Sequence, residues 1–308
     1  MSAFELKPWM QGHLLGVERA LEAWITPRGP SAAEHPAPAS LIEAMRYAVL
    51  DGGKRLRPLL VFAAFEAASG QERTAQQAAL RAACAVELIH AYSLVHDDMP
   101  CMDNDVLRRG KPTVHVQFGE AGALLAGDAL QALAFALLTP EDGSVPLDLQ
   151  ARLCRLLARA AGCSGMAGGQ AIDLASVGVA LTEQQLREMH QLKTGALLKG
   201  SVLMGAHCGG ASGAVLQALD SYGEAIGLAF QVVDDILDVT ADSATLGKTA
   251  GKDADNDKPT YVSLMGLDGS RRYAQQLHAQ ATDALAQSGL PDTAALAALA
   301  DMVLNRSH

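Results

Sequence analysis

Ala85-Val86-Glu87-Leu88-Ile89-His90-Ala91-Tyr92-Ser93-Leu94-Val95-His96-Asp97-Asp98 is the stretch that decides the fold class. Ala85, Leu88, Ile89, Tyr92 and Val95 recur at the three- and four-residue spacing that lines one face of an α-helix. The pattern extends from Thr74 to Met99, where Pro100 breaks or kinks it. A second long stretch, Ala214 to Val239, has the same character and also ends in carboxylates. Outward from these two, the spacing predicts an amphipathic helix before Thr26 and a loop from Pro27 to Ser40. A helix opened by a capping box of Ser40 with Glu43 then runs to Gly52-Gly53. Pro58 suits the first turn of a further helix closing near Gly70. After a polar loop to Pro112, helices are expected from Glu120 to Leu138, from Leu147 to a kink at Gly162 to Gly169, and from a Thr182/Gln185 cap to about His207. Ser243 to Pro259 reads as a mobile-looking loop, and two or more helices finish the chain. No strand alternation and no fixed-period repeat is visible, so the expected fold class is all-α.

Composition agrees. Ala and Leu dominate an apolar share of 49%, while aromatics reach only 4%, a mixture that favours helix over sheet. No linker divides the 308 residues, so a single large domain over 1–308 is expected. A formal charge of −10 argues against a nucleic-acid binder. The five cysteines show no C-x-x-C spacing and read as reduced cytosolic thiols. Met1 to Met10 has no apolar core of a signal peptide, and Ala121 to Leu138, with Asp128 and Gln131, is too short and polar to span a bilayer. The expectation is a soluble cytoplasmic protein with no stable membrane insertion.

The chemistry concentrates in two aspartate clusters, Asp97-Asp98 with Asp103, and Asp234-Asp235 with Asp238. Asp234 and Asp238, four apart, stack on one helix face, where like charges destabilise a bare helix and imply a counter-ion. Pro100 frees the chain to fold Asp103 back towards Asp97. Mg²⁺ is the obvious partner, since it takes hard oxygen ligands and shares them with phosphates. Either cluster alone also reads as a solvated acidic helix end; the pair is what points to a metal-bridged diphosphate. Lys54, Arg57, Arg108, Arg109, Lys193, Lys248 and Lys258 are basic positions suited to phosphate oxygens. In Gly52-Gly53-Lys54-Arg55-Leu56-Arg57-Pro58, Lys54 and Arg57 stand at a helix N-terminus, whose dipole favours anions; a solvated basic turn is the plainer alternative. Gly247-Lys248-Thr249 lacks the leading glycine of a P-loop, and Asp253, Asp255 and Asp257 lack the glycine and closing glutamate of an EF-hand. His90 and His96 lie near the first cluster, whereas Asp128 reads as a buried hydrogen-bonded residue of its Ala/Leu helix.

Taken in order, the motif around Lys54, His96-Asp97-Asp98-Met99-Pro100-Cys101-Met102-Asp103, Leu107-Arg108-Arg109-Gly110, Gly169-Gln170, Lys193-Thr194-Gly195-Ala196-Leu197, Gly227-Leu228-Ala229-Phe230-Gln231 and Asp234-Asp235-Ile236-Leu237-Asp238 resemble the trans-isoprenyl diphosphate synthases. The resemblance is to the bacterial farnesyl diphosphate synthases, or geranyltranstransferases, and runs from about Leu41 to the C-terminus. It implies an all-helical homodimer around a central cavity, performing head-to-tail condensation of isopentenyl diphosphate with an allylic diphosphate. Asp97, Asp98, Asp103, Asp234, Asp235 and Asp238 would hold about three Mg²⁺ ions per site. Arg108, Lys193, Lys248 and Lys258 would clamp the allylic diphosphate. Lys54, Arg57, His90 and Arg109 would bind isopentenyl diphosphate, and Thr194 and Gln231 would face the allylic cation. Cys101 and Asn104 depart slightly from the family pattern without touching the aspartates. Whether the tail Asn305-Arg306-Ser307-His308 closes over the site is left open.

Tyr92 lies five residues before Asp97, roughly 7–8 Å down the helix at ~1.5 Å per residue. With Ser93 beside it, it is the expected floor that stops the chain at the farnesyl length, unless it is ordinary core packing. A geranyl or geranylgeranyl synthase with the same machinery is the first alternative reading. Lys54, Arg57 and Arg109 speak against a terpene cyclase, and two complete clusters against a non-catalytic helical subunit.

Overall fold

The computed structural model describes residues 4–30, 35–50, 52–68, 73–240 and 259–306. The helices are α1 (Leu6–Trp24), α2 (Ala39–Val49), α3 (Leu56–Ala67), α4 (Arg73–Asp97), α5 (Val114–Leu138), α6 (Leu147–Ala161), α7 (Met166–Ala175), α8 (Glu183–His190), α9 (Ala196–Cys208), α10 (Gly213–Thr240), α11 (Tyr261–Gln287) and α12 (Ala294–Leu304). The all-α expectation holds, and the two aspartate-bearing stretches are α4 and α10.

Two helices organise the rest. Nearly every residue of α3 and of α9 is buried, so neither has a polar face to give to water. Val61, Phe62 and Phe65 of α3 and Leu197 and Met204 of α9 pack with α1, α2, α4, α5 and α6 around Leu88, Ile89, Leu130 and Leu153. The opposite faces, Leu59, Leu60 and Ala63 of α3 with Leu198, Val202 and Ala206 of α9, pack with α8, α10, α11 and α12 around Tyr222, Ile226, Leu277 and Leu299. The pair thereby joins two apolar clusters and sets α4 and α10 on either side of one cavity.

Several local expectations are corrected. Helix α2 starts at Ala39 behind Pro38, whose fixed φ replaces the expected Ser40/Glu43 capping box. Helix α5 starts at Val114 and is interrupted at Gly119 (φ 78°), so only its second part begins at the expected Glu120. A two-residue hairpin, β1 (Leu107–Arg108) with β2 (Lys111–Pro112), stands where only loop was expected. Its turn residues Arg109 (φ 52°) and Gly110 (φ 77°) both adopt the positive φ of a tight hairpin turn. The glycine-rich kink is a full break between α6 and α7. The Thr182/Gln185 capping box is present, but the helix it opens passes through a π-helical segment, Gln191–Gly195, before α9. The expected loop Ser243 to Pro259 lies, except for Pro259, outside the described residues.

By length and composition alone, α4 and α5 are apolar enough to cross a membrane. The apolar stretch of α4 is 78% buried as core, whereas that of α5 is 39% buried and presents Val116, Leu124 and Leu125 at the surface. The break at Gly119 with Glu120 and Asp128 beyond it suits a surface helix better than a bilayer span. All five cysteines are free thiols.

Candidate active site

A cavity of about 550 Å³ opens between α4, α7, the π-helical segment and α10. Its walls include Asp97, Asp103, Asp234 and Asp235, the cations Arg57, Arg108 and Lys193, and His90, Thr194 and Gln231. Tyr92, Ser93, His96 and Met166 line it as well.

At the end of α4 the backbone turns at Met99 and Pro100, and the chain folds back as Pro100 predicts. The Asp103 N–H donates to the Asp97 carbonyl at 2.9 Å and the Asp105 N–H to that of Asp98 at 3.1 Å. Asn104 takes a left-handed conformation (φ 51°) to allow this. Burial raises the Asp97 carboxyl to about 6; Lys193 opposes the shift, and Asp103 reinforces it. Asp98 is turned the other way. It is 3% exposed, and Arg108 grips it with Nε–H and Nη2–H at 2.6 to 3.0 Å. The expected metal ligand and the expected phosphate clamp are thus paired with each other.

The second cluster is built in layers. Asp234 faces the cavity and accepts a hydrogen bond from Arg306 at 3.0 Å. Asp235, 2% exposed, accepts the Gln231 amide on one oxygen and the Tyr261 N–H on the other. Gln231 in turn accepts the Thr194 hydroxyl at 3.0 Å, so one chain of hydrogen bonds fixes all three side chains. Asp238 is 4% exposed and does not reach the cavity lining among the described residues.

The π-helical segment presents Lys193 and Thr194 to the cavity. A side chain on Gly169 of α7 would lie 2.1 Å from the Lys193 nitrogen, and one on Gly227 of α10 would lie 2.7 Å from the Gly195 Cα. Both glycines are required by this close approach. Lys193 Nζ pairs with Asp173 at 2.6 Å. Asp173 belongs to the site although the sequence reading passed over it; its place three residues after Gln170, on the same face of α7, was the available signal.

Arg55, also passed over, anchors the cradle before α3. It is left-handed (φ 47°) and buried, and it donates to Glu18, Glu87 and the Val49 carbonyl. Locking Arg55 inward leaves Lys54 exposed on one side and aims Arg57 at the cavity on the other. Arg57 Nε is buried without a hydrogen-bond partner, and burial lowers its pKa to about 10. Arg109 joins them from the hairpin by donating to the Gly52 carbonyl at 2.9 Å. Burial, with Arg57, Arg109 and Arg108 close by, holds His90 well below its ordinary pKa, so it acts as a neutral donor and acceptor. Of the open tail, Arg306 lies over the Phe230 ring at 3.8 Å and is near enough to help lower the Lys54 pKa, after burial. Lys248 and Lys258 lie outside the described residues, as do Ser307 and His308.

The donor set is all oxygen, which suits a hard divalent cation such as Mg²⁺. Among the described residues no three His, Cys, Asp or Glu side chains converge into a ready-made cage.

The polyprenyl synthetase family model matches residues 38–290. The chain belongs to the polyprenyl synthetase family. Within that family it is 48% identical over 272 residues to the farnesyl diphosphate synthase of Escherichia coli, covering 87% of this chain and 89% of that protein. It is 45% identical over 308 residues to a chloroplastic geranylgeranyl pyrophosphate synthase of Catharanthus roseus, covering 100% of this chain and 83% of that protein. The fold matches a Helicobacter pylori geranyltransferase complexed with magnesium and isoprenyl diphosphate, with a TM-score of 0.83, 32% identity and coverage of 99% and 98%. Like its relatives, the chain is a prenyltransferase of the isoprenoid synthase fold.

Proposed function

We propose that this polyprenyl synthetase condenses isopentenyl diphosphate head-to-tail with dimethylallyl and then geranyl diphosphate, releasing pyrophosphate and ending at farnesyl diphosphate. The observation that carries the reading is the presence of two separate anion seats on one cavity. One is acidic and needs a bridging cation; the other, around Arg57 and His90, is cationic by itself. A reaction joining two diphosphates needs both.

Bound Mg²⁺ supplies the positive charge that stabilises a departing pyrophosphate. Asp97, Asp98 and Asp103 at the end of α4 and Asp234, Asp235 and Asp238 from α10 would hold it, Asp98 only once released from Arg108. Lys193 and Arg108, with Lys248 and Lys258, clamp the allylic diphosphate. Arg57, Lys54, His90 and Arg109 hold isopentenyl diphosphate beside it. Thr194 and Gln231 turn their oxygens towards the allylic carbon, where positive charge grows as the bond to oxygen breaks. The isopentenyl double bond attacks that carbon, and the proton it loses leaves with the pyrophosphate. The single domain over 1–308 works in the cytoplasm as a homodimer. The exposed apolar residues Val116, Leu124 and Leu125 of α5 support a dimer contact, for which light scattering should give twice the mass of the chain.

Incubation with Mg²⁺, isopentenyl diphosphate and dimethylallyl diphosphate, followed by phosphatase treatment and mass analysis, tests the reading. Farnesol is expected. Geraniol or geranylgeraniol would keep the chemistry and move the product to the neighbouring synthases; no product from folded protein would overturn the reading. Tyr92, half in the wall at 9% exposure, is the proposed floor, with Ser93 donating to the His90 carbonyl beside it. Tyr92→Ala should therefore lengthen the product by at least one isoprene unit, and an unchanged farnesyl product would reject the floor.

A further inference from the structure

Beneath the first cluster, two helices meet through a missing side chain. His96, one turn above Tyr92 on α4, lines the cavity, and its ring meets that of Tyr92 edge-on at 5.7 Å. Its imidazole reaches α5 at the edge of the cavity, where Nε2 lies 3.1 Å from the Leu124 carbonyl. It fits there only because residue 127 is glycine. A Cβ on Gly127 would lie 2.1 Å from Nε2, 2.5 Å from Cδ2 and 2.8 Å from Cε1. Gly127 is buried inside a regular part of α5, where alanine would be the better helix former by about 1 kcal/mol, so local helix stability does not explain the glycine. One turn further along α5, the Gln131 amide lies close enough to the Tyr92 hydroxyl to oppose the rise in its pKa that burial causes. Helix α5 therefore holds the two aromatic rings of α4 in place, one through a recess and one through an amide.

We propose that Gly127 and His96 are specificity-determining residues, with Gly127 forming a recess that seats the His96 ring in the cavity wall and keeps the Tyr92 ring across its floor. The idea rests on the reading of this cavity as the one that receives the growing chain. Filling the recess pushes the imidazole, which has Tyr92 beside it and α5 behind it, into the cavity. Emptying the position by truncating His96 does the opposite and also frees Tyr92.

Product distributions of Gly127→Ala, His96→Ala, the double variant and Tyr92→Ala test this, each measured on protein shown to be folded by circular dichroism. Gly127→Ala should raise the geraniol-to-farnesol ratio roughly tenfold, the discrimination that a single methyl group exerts in an apolar pocket. His96→Ala should shift products towards geranylgeraniol. The double variant should follow His96→Ala, because the methyl then meets no ring. If both single variants keep the parental distribution, the recess has no role and the proposal is overturned, whatever Tyr92→Ala does. Lengthening by Tyr92→Ala alone would leave the floor standing and remove only the recess. If Gly127→Ala fails to fold, a parental distribution from His96→Ala is sufficient to reject the proposal.

Discussion

Asp97→Ala should lower kcat/KM by roughly a thousandfold, the upper range for deleting one preorganised group that stabilises transition-state charge. Asp97 faces the cavity together with Asp103, while Asp98 is held by Arg108. The loss should come without loss of fold, and the sign of the pKa shift says why. Burial raises Asp97 from 3.8 to about 6, so the folded, metal-free chain holds a proton that the unfolded chain releases earlier. Stability from this group is full below about 3.8 and is lost as pH rises through about 6. At pH 8 the charged carboxylate is therefore a destabilising element, and alanine should leave the metal-free melting temperature equal or higher. Steady-state kinetics with a parallel melt would check both halves. Parental turnover would remove Asp97 from the site; a lower melting temperature would contradict the electrostatic account.

The second large effect is expected at Arg57→Leu: KM for isopentenyl diphosphate should rise by roughly a hundredfold, with a much smaller change for the allylic substrate. Truncating one partner of a buried charge pair costs about 2–5 kcal/mol. Arg57 meets the condition because burial lowers its pKa only to about 10, so it stays cationic at neutral pH with a buried, unpartnered Nε. Lys54 is exposed and should matter less. Initial rates with each substrate varied in turn separate the seats, and an equal rise in both KM values would merge them.

Helix positions were legible because burial imposes a period on the apolar residues. The ends of α4 and α10 were fixed by the same pattern together with Pro100 and the aspartates. Less was legible where geometry depends on a distant neighbour. The inward grip of Arg108 on Asp98 follows from the hairpin turn at Arg109-Gly110, and no periodicity encodes a hairpin two residues long. Arg55 looked like one more basic residue, because its partners Glu18 and Glu87 come from other helices. Asp173 was missed, and the role of the tail residue Arg306 left open, for the same reason: each is tied to its partner only by the tertiary fold. Asp128, expected as a buried hydrogen-bonded residue, is instead exposed on the surface of α5 and does not line the cavity, because the apolar share of that helix is split between core and surface.

The π-helical segment at Gln191–Gly195 also has a consequence in terms of angular phase. A regular helix advances about 100° per residue, and a wide turn spends one extra residue without equal progress around the axis. Helix α8 therefore gives Leu186 and Met189 to one cluster only, whereas α9 beyond the slip meets both, Leu198 and Val202 joining that cluster and Leu197 the other. Residues 193 and 194 sit at the slip itself, so their direction is set by how the two helices mesh. The chain can vary the side chains around this point far more freely than it can vary the number of residues: one residue fewer would close the slip and turn the reactive pair away from the chamber.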